Sequence, residues 1–158
     1  MRLLASTDFA LRILMLLGRQ EPGQNLSVET MAGFLGGLSR NHLHKIVQDL
    51  AGLGVLRTVR GAGGGVSLAK PLADVRLGWL VRSLESDQPL VECFREGGGC
   101  CAIDAGCRLR GMLRAAREAF YQNLDQHTLA DCSAGRWFNA IEKTASRKRA
   151  KSVVEEAT

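Results

Sequence analysis

The chain has 158 residues, with 21 Lys and Arg against 16 Asp and Glu, a net charge of +5 and a pI near 9.2. That length supports one domain with a real core, and the basic balance favours a polyanionic partner, nucleic acid or an anionic surface. The apolar run from Leu11 to Leu17 is too short to span a bilayer and no small-residue cleavage site follows it, so the expectation is a cytoplasmic protein without a membrane partner.

The segment from Thr7 to Leu17 predicts a first helix, capped by Ser6 or Thr7, with Asp8 in the first turn where a carboxylate suits the positive end of the dipole. It is apolar nearly all round and should be buried. Gly18 and Glu21-Pro22-Gly23 end it. A short second helix starts at Ser27, with Val28, Met31 and Leu35 on one side, and Gly36-Gly37 turns the chain. Ser39 can cap a third helix from Arg40 to about Gly52, in which Leu43, Ile46, Val47 and Leu50 face inward. Arg40, Asn41, His44, Lys45 and Gln48 fall on the opposite side. This is the form of a helix-turn-helix recognition helix, with Ser39 and those five residues as DNA-binding candidates. An ordinary solvated face accounts for this helix by itself equally well.

The next segment separates the two readings. Val55 to Arg60 predicts a strand, Gly61 to Gly65 a turn and Val66 to Ala69 the return strand. A basic hairpin after a helix-turn-helix is a winged helix, and Arg57 and Arg60 sit where a wing reaches phosphates or a minor groove. A phosphate cradle would need a helix directly after the glycines, and here a strand follows. The fold class is therefore mostly α: a winged helix-turn-helix with a two-stranded wing and a long C-terminal dimerisation helix.

Asp74 is expected to cap a helix through Val75, Leu77, Trp79, Leu80, Val81 and Leu84, closed by Pro89. A longer helix follows Cys107, with Leu109, Met112, Leu113, Ala116, Phe120 and Leu124 as a continuous stripe. So long a helix has little of its own chain to pack on, which points to a homodimer reading two half-sites of double-stranded DNA. The division expected is a winged-helix reader over 1–72 and dimerisation helices with a cysteine loop (about 90–108) over 73–132. A basic polar tail over 133–158 completes it, with a composition that allows disorder.

Four of the five cysteines, Cys93, Cys100, Cys101 and Cys107, lie in the glycine-broken segment between those helices. In a reducing cytosol such a cluster is more often a ligand set or a redox switch than a disulfide framework. Thiolates on a loop can converge on a metal or an iron–sulfur cluster. Seven residues separate Cys93 from Cys101 and five separate Cys101 from Cys107, without the short paired gaps of structural zinc. Adjacent Cys100 and Cys101 should diverge, leaving one as primary ligand. Cys132 stands apart and reads as a small packed residue.

Taken together, residues 1 to about 132 resemble the winged-helix iron–sulfur repressors, and among them the nitric-oxide-sensing repressors of the NsrR type. The resemblance rests on Thr7-Asp8-Phe9-Ala10-Leu11-Arg12, the wing from Arg60 to Leu68, Leu90-Val91-Glu92-Cys93, the run from Cys101 to Leu109, and Thr128-Leu129-Ala130-Asp131. The wing marks the wider family, which includes the IscR-type regulators of cluster assembly. The Val-Glu-Cys opening, the Cys101–Cys107 gap and the Arg-Leu after it point to the NsrR branch.

The resemblance implies a homodimer holding an iron–sulfur cluster, [4Fe–4S] rather than [2Fe–2S], through Cys93, Cys101 and Cys107. Cys100 is an extra thiol, and a swap with Cys101 stays open. Family members complete the cluster with a non-cysteine ligand that can come across the dimer. Asp8 matches that position, and its alternative role is a helix-dipole acid paired with Arg12. His127 is a weaker candidate. The family further implies DNA-bound repression relieved by nitric oxide. The rival readings are an IscR-like regulator of cluster assembly or iron homeostasis, a thiol or zinc switch on the same reader, and an iron–sulfur electron carrier. No nucleophile–base pair, nucleotide loop or paired carboxylates point to an enzyme.

Overall fold

The computed structural model of the chain describes residues 2–21, 23–36, 38–61, 63–95, 97–98, 101 and 106–133. Cys100 and nearly all of the basic tail expected over 133–158 lie outside the described residues. Helix α1 (Ala5–Leu17) turns Ala10, Ile13, Leu14 and Leu17 inward at three- and four-residue steps, and these side chains are almost fully buried. Its cap differs from expectation. The helix opens at Leu4 without a side-chain cap, and Ser6 and Thr7 lie inside its first turn. The Thr7 hydroxyl is turned into the protein, where Glu85 claims it. A hydroxyl near a helix start looks like a cap unless the distant acceptor competing for it is known.

Helix α2 (Val28–Leu35) is capped by Ser27, whose Oγ accepts the Thr30 N–H at 3.1 Å. It stops at Gly36, in the left-handed region at φ 56°, a conformation that side chains with a Cβ resist. Helix α3 (Arg40–Gly52) has the bounds read from the sequence, and Leu43, Ile46, Val47 and Leu50 bury its inner face against α1 and α2. Burying four such aliphatic side chains contributes on the order of 1.5–3 kcal/mol each, which outweighs the modest propensity of the two histidines on the helix.

Strands β1 (Leu56–Val59) and β2 (Gly65–Leu68) form the antiparallel hairpin, in register Leu56↔Leu68 through Val59↔Gly65. Val55, Leu56 and Val66 drop into the core under the hairpin. Leu26, between α1 and α2, pairs with Val66 through two backbone hydrogen bonds of 2.9 Å. That pairing adds a third short edge to the sheet.

Beyond the wing, Asp74 does not cap a helix. Leu72–Asp74 form one 3-10 turn, Val75 is extended and its carbonyl accepts the Leu129 N–H at 3.0 Å. Helix α4 (Leu77–Leu84) therefore starts later than the apolar periodicity suggests. Val75, Leu77, Leu80 and Val81 are buried, but Trp79 is 39% exposed, with the Lys70 ammonium 5.6 Å from its ring centre. Helix α5 (Arg108–Leu124) packs on α4, and α6 (Leu129–Ser133) returns against the 3-10 turn and α1. One hydrophobic core runs from Leu14 and Leu43 in the reader to Leu77, Leu80 and Leu129 beyond it. Among the described residues no helix is long and apolar enough to cross a membrane.

Candidate functional site

The candidate nucleic-acid face is built on α3. Its N-terminus is fixed by Ser39, whose Oγ accepts the His42 N–H at 3.3 Å and lies 3.0 Å from His42 Nδ1. Ser39 thus serves first as a cap, with its hydroxyl committed at the end of the helix that would enter a groove. Arg40, Asn41, His44, Lys45 and Gln48 are all exposed, on the face opposite the buried Leu43–Leu50 stripe. Two of the cations are loosely tethered, Arg40 to Glu29 at 3.7 Å and Lys45 to Asp49 at 3.6 Å. Pairs this exposed hold their charges only weakly, so they can exchange partners for phosphates. His42 was not singled out from the sequence, yet it is exposed beside Ser39 at the leading end of the same helix. Its position three residues into the helix after a capping Ser was the available signal.

Arg57 and Arg60 are exposed on β1 and just after it, on the hairpin next to α3. β1 packs on α3, so exposed cations stand on a helix and on a neighbouring ribbon, the pair of elements with which winged-helix proteins read a duplex.

The cysteine segment leaves α4 and rejoins the fold at α5. Cys93 sits in a 3-10 turn, Glu92–Phe94, and is half-buried. The next residue, Phe94, docks on α5, with the Arg117 and Arg114 guanidinium carbons 5.0 Å and 5.7 Å from its ring centre. Cys107 is the residue before the first turn of α5 and is half-buried, whereas Cys101 is exposed. All three are free thiols. They are not assembled: among the described residues no three His, Cys, Asp or Glu side chains stand close enough to hold a metal ion. As a donor set they still fit an iron–sulfur group, which takes thiolates delivered by an irregular segment.

Asp8 lies on the outer side of α1, half-exposed. Its carboxylate accepts from the Arg12 Nε at 3.1 Å and pairs with Arg12 Nη2 at 2.7 Å. The local pairing named as its alternative role is thus present. His127 is exposed, its carbonyl accepting the Leu77 N–H at 3.0 Å. Cys132 is half-buried against the core with its Sγ 4.0 Å from the Thr128 carbonyl, and burial, then the Asp131 charge, pushes its thiol pKa up. Cys132 is thus a small packed residue, the role its isolation in the sequence suggests.

The stripe expected on α5 is only partly covered. Leu109 and Met112 are 60% and 62% exposed, and it is Tyr121 and Leu124 that turn toward the core.

The family profile for Rrf2, described as iron-dependent transcriptional regulator, matches residues 3–135. The HTH-type transcriptional regulator NsrR of Geobacillus kaustophilus is 41% identical over 131 residues, covering 83% of this chain and 88% of that one. The HTH-type transcriptional repressor NsrR of Streptomyces coelicolor is 40% identical over 134 residues, covering 85% and 89%. Among solved structures, oxidized CymR of Staphylococcus aureus superposes with a TM-score of 0.66 at 24% identity, covering 85% of this chain and 98% of that one. T. potens IscR superposes at 0.64 and 23% identity, covering 84% and 85%. At those identities the two structures speak for the fold.

Proposed function

The chain belongs to the Rrf2 family of transcriptional regulators and is a DNA-binding repressor, and from that premise we propose that it works as a homodimer whose DNA affinity is set by an iron–sulfur cluster and relieved by nitric oxide. The observation that carries the reading is the set of free thiols, Cys93, Cys101 and Cys107, on the segment joining α4 to α5, in a chain whose other end is a winged-helix reader.

In this reading Cys93, Cys101 and Cys107 hold the cluster, of the [4Fe–4S] type, and Asp8 of the partner subunit completes it. When bound, the cluster supplies iron to which nitric oxide coordinates. Asp8 is an oxygen donor among thiolates, the weakest-held of the four, and Arg12 one turn later gives its carboxylate an alternative partner. Because α1 packs directly on α3 through its buried face, a change in what Asp8 binds biases the position of the recognition helix. Ser39, Arg40, Asn41, His44, Lys45 and Gln48 then present a different spacing to the two half-sites. The exposed Leu109 and Met112 of α5, with the half-buried Leu113 and Phe120, supply the dimer contact. A few kcal/mol of differential affinity suffices to move such an equilibrium.

Protein purified without air should carry iron and acid-labile sulfide with visible absorbance, and nitric oxide should change that absorbance and lower DNA affinity together. Cys93→Ala, Cys101→Ala and Cys107→Ala should each abolish the colour. Colour retained in Cys101→Ala but lost in Cys100→Ala would move the ligand by one residue. Asp8→Ala should alter the spectrum or the response to nitric oxide while the fold persists. Zinc without sulfide would replace the reading with a zinc switch, and colourless, metal-free protein would end it.

A further inference from the structure

The wing turn has almost no side chains with which to hold itself. Gly61, Gly63 and Gly65 all have positive φ, at 93°, 75° and 150°. Glycine loses more conformational freedom on ordering than any other residue; the Gly64 N–H closes the turn on the Gly61 carbonyl at 2.9 Å, and contacts from outside are needed to fix that turn against the rest of the reader. Two contacts from the segment between α1 and α2 do so. Leu26 and Val66 exchange backbone hydrogen bonds of 2.9 Å at the base of the hairpin. Higher up, the Asn25 side-chain Nδ2 donates to the Gly63 carbonyl at 3.3 Å. The approach is close enough that a Cβ on Gly65 would fall 2.6 Å from the Leu26 carbonyl oxygen and 3.2 Å from Asn25 Cβ.

We propose that Asn25 is a positioning residue for DNA binding: its amide pins the wing turn to the reader, so that Arg57 and Arg60 are held in place beside α3 before DNA arrives. The inference rests on the reading of the hairpin as a DNA-contacting wing. A carbonyl only accepts, so the amide must turn its nitrogen to Gly63. Asn25 Oδ1 is then buried with no hydrogen-bond partner among the described residues. An orphaned acceptor costs stability while the Nδ2 bond supplies some, so the two largely cancel in folding. What the pair leaves is a fixed turn. Without it, the wing must be ordered at the moment of binding, and affinity falls by that cost.

The test compares Asn25→Ala and Asn25→Leu, which keeps the size but not the donor, with Arg60→Ala and with the double variant Asn25→Ala/Arg60→Ala. The probe is a duplex selected from a randomised pool by the wild-type protein. Both Asn25 variants should melt close to wild type yet bind about tenfold more weakly. Amide exchange at Gly64 to Val66 should accelerate. The salt dependence of binding should become shallower by about one unit per wing cation released, and the loss should not add to that of Arg60→Ala.

Wild-type affinity in both Asn25 variants, with Arg60→Ala still weakened, overturns the pin and leaves the wing. Additive losses, or a melting temperature lowered along with affinity in both variants, also overturn it in favour of a merely structural Asn25. Arg57→Ala and Arg60→Ala both binding like wild type would instead remove the wing reading on which the proposal stands.

Discussion

Thr7 donates a 2.5 Å hydrogen bond from its Oγ1 to Glu85 Oε1, across 78 residues of chain, and both residues are buried at 1% and 9% exposure. The same oxygen accepts the Leu4 N–H at 2.9 Å. The first turn of the reader helix is thereby tied to the end of α4, where the chain departs for the cysteine segment. A hydrogen bond to a buried carboxylate contributes more than a neutral one. Thr7→Val, which keeps the shape, should destabilise by about 2 kcal/mol, and Glu85→Ala by about 2–3 kcal/mol. Urea denaturation of the single and double variants should give a coupling of about 1–2 kcal/mol; strictly additive losses would mean that the contact is not a working pair.

Gly78 is where α4 meets the end of α5. A Cβ there would lie 2.2 Å from the Tyr121 carbonyl oxygen and 2.4 Å from Asp125 Cγ. Asp125, the residue that ends α5, in turn accepts the Trp79 N–H on its Oδ1 at 2.7 Å and so caps α4. Gly78→Ala should therefore cost about 1–3 kcal/mol by forcing the helices apart. Gly33, on α2 with open space at its Cβ position, is the contrast. Gly33→Ala should gain about 0.5–1 kcal/mol through helix propensity. Denaturation midpoints of opposite displacement check the pair, and a tolerated Gly78→Ala would mean that the α4–α5 approach is looser than described.

Arg82 and Glu118 join the same two helices through bonds of 2.7 Å and 3.0 Å, with Asp125 3.8 Å from Arg82. The hydrogen bonds from Arg82 hold the Glu118 carboxyl below its ordinary value of 4.5. A lowered folded-state pKa gives stability that is complete above the unfolded value and lost as the pH falls through the folded one. The loss should thus set in below about pH 4.5. Both side chains are about 40% exposed, Arg82 41% and Glu118 43%, so the effect should be modest and weakened by salt. Glu118→Gln should flatten the acid limb of a melting-temperature profile, whereas an unchanged limb would assign acid sensitivity to other carboxylates.

On α3, Lys45 and Gln48 are both exposed but differ in chemistry. Lys45→Ala should weaken binding to all duplexes alike and make the salt dependence shallower by about one unit. Gln48→Ala should relax selectivity at one base pair, at about 1–3 kcal/mol of discrimination. A selected-sequence logo unchanged in Gln48→Ala would place Gln48 on the backbone or off the DNA.

Much of the architecture was legible because it is local. The inward stripe of α3, its Ser39 cap, the Gly36 stop and the hairpin all follow from residues within a few positions of one another, and each was found where patterning put it. Readings that needed a distant partner went astray. Neither Ser6 nor Thr7 caps α1, and Thr7 instead belongs to Glu85; Asp74 does not start α4, whose Trp79 N–H is taken by Asp125. Trp79 fits an apolar stripe in sequence but leans outward over Lys70.

By itself, the sequence determined a basic winged-helix reader followed by a thiol-rich segment, because hydrophobic period, turn chemistry and the choice of cysteine as donor are written in neighbouring residues. The tertiary structure alone decided how those parts are joined: Glu85 bolting α4 to α1, Asp125 capping α4, and Asn25 holding the wing. Each of those joints is a hydrogen bond between side chain and backbone or hydroxyl far apart in the chain. Such a bond has direction and a reach of about 3 Å, and no periodicity announces it before the chain has folded.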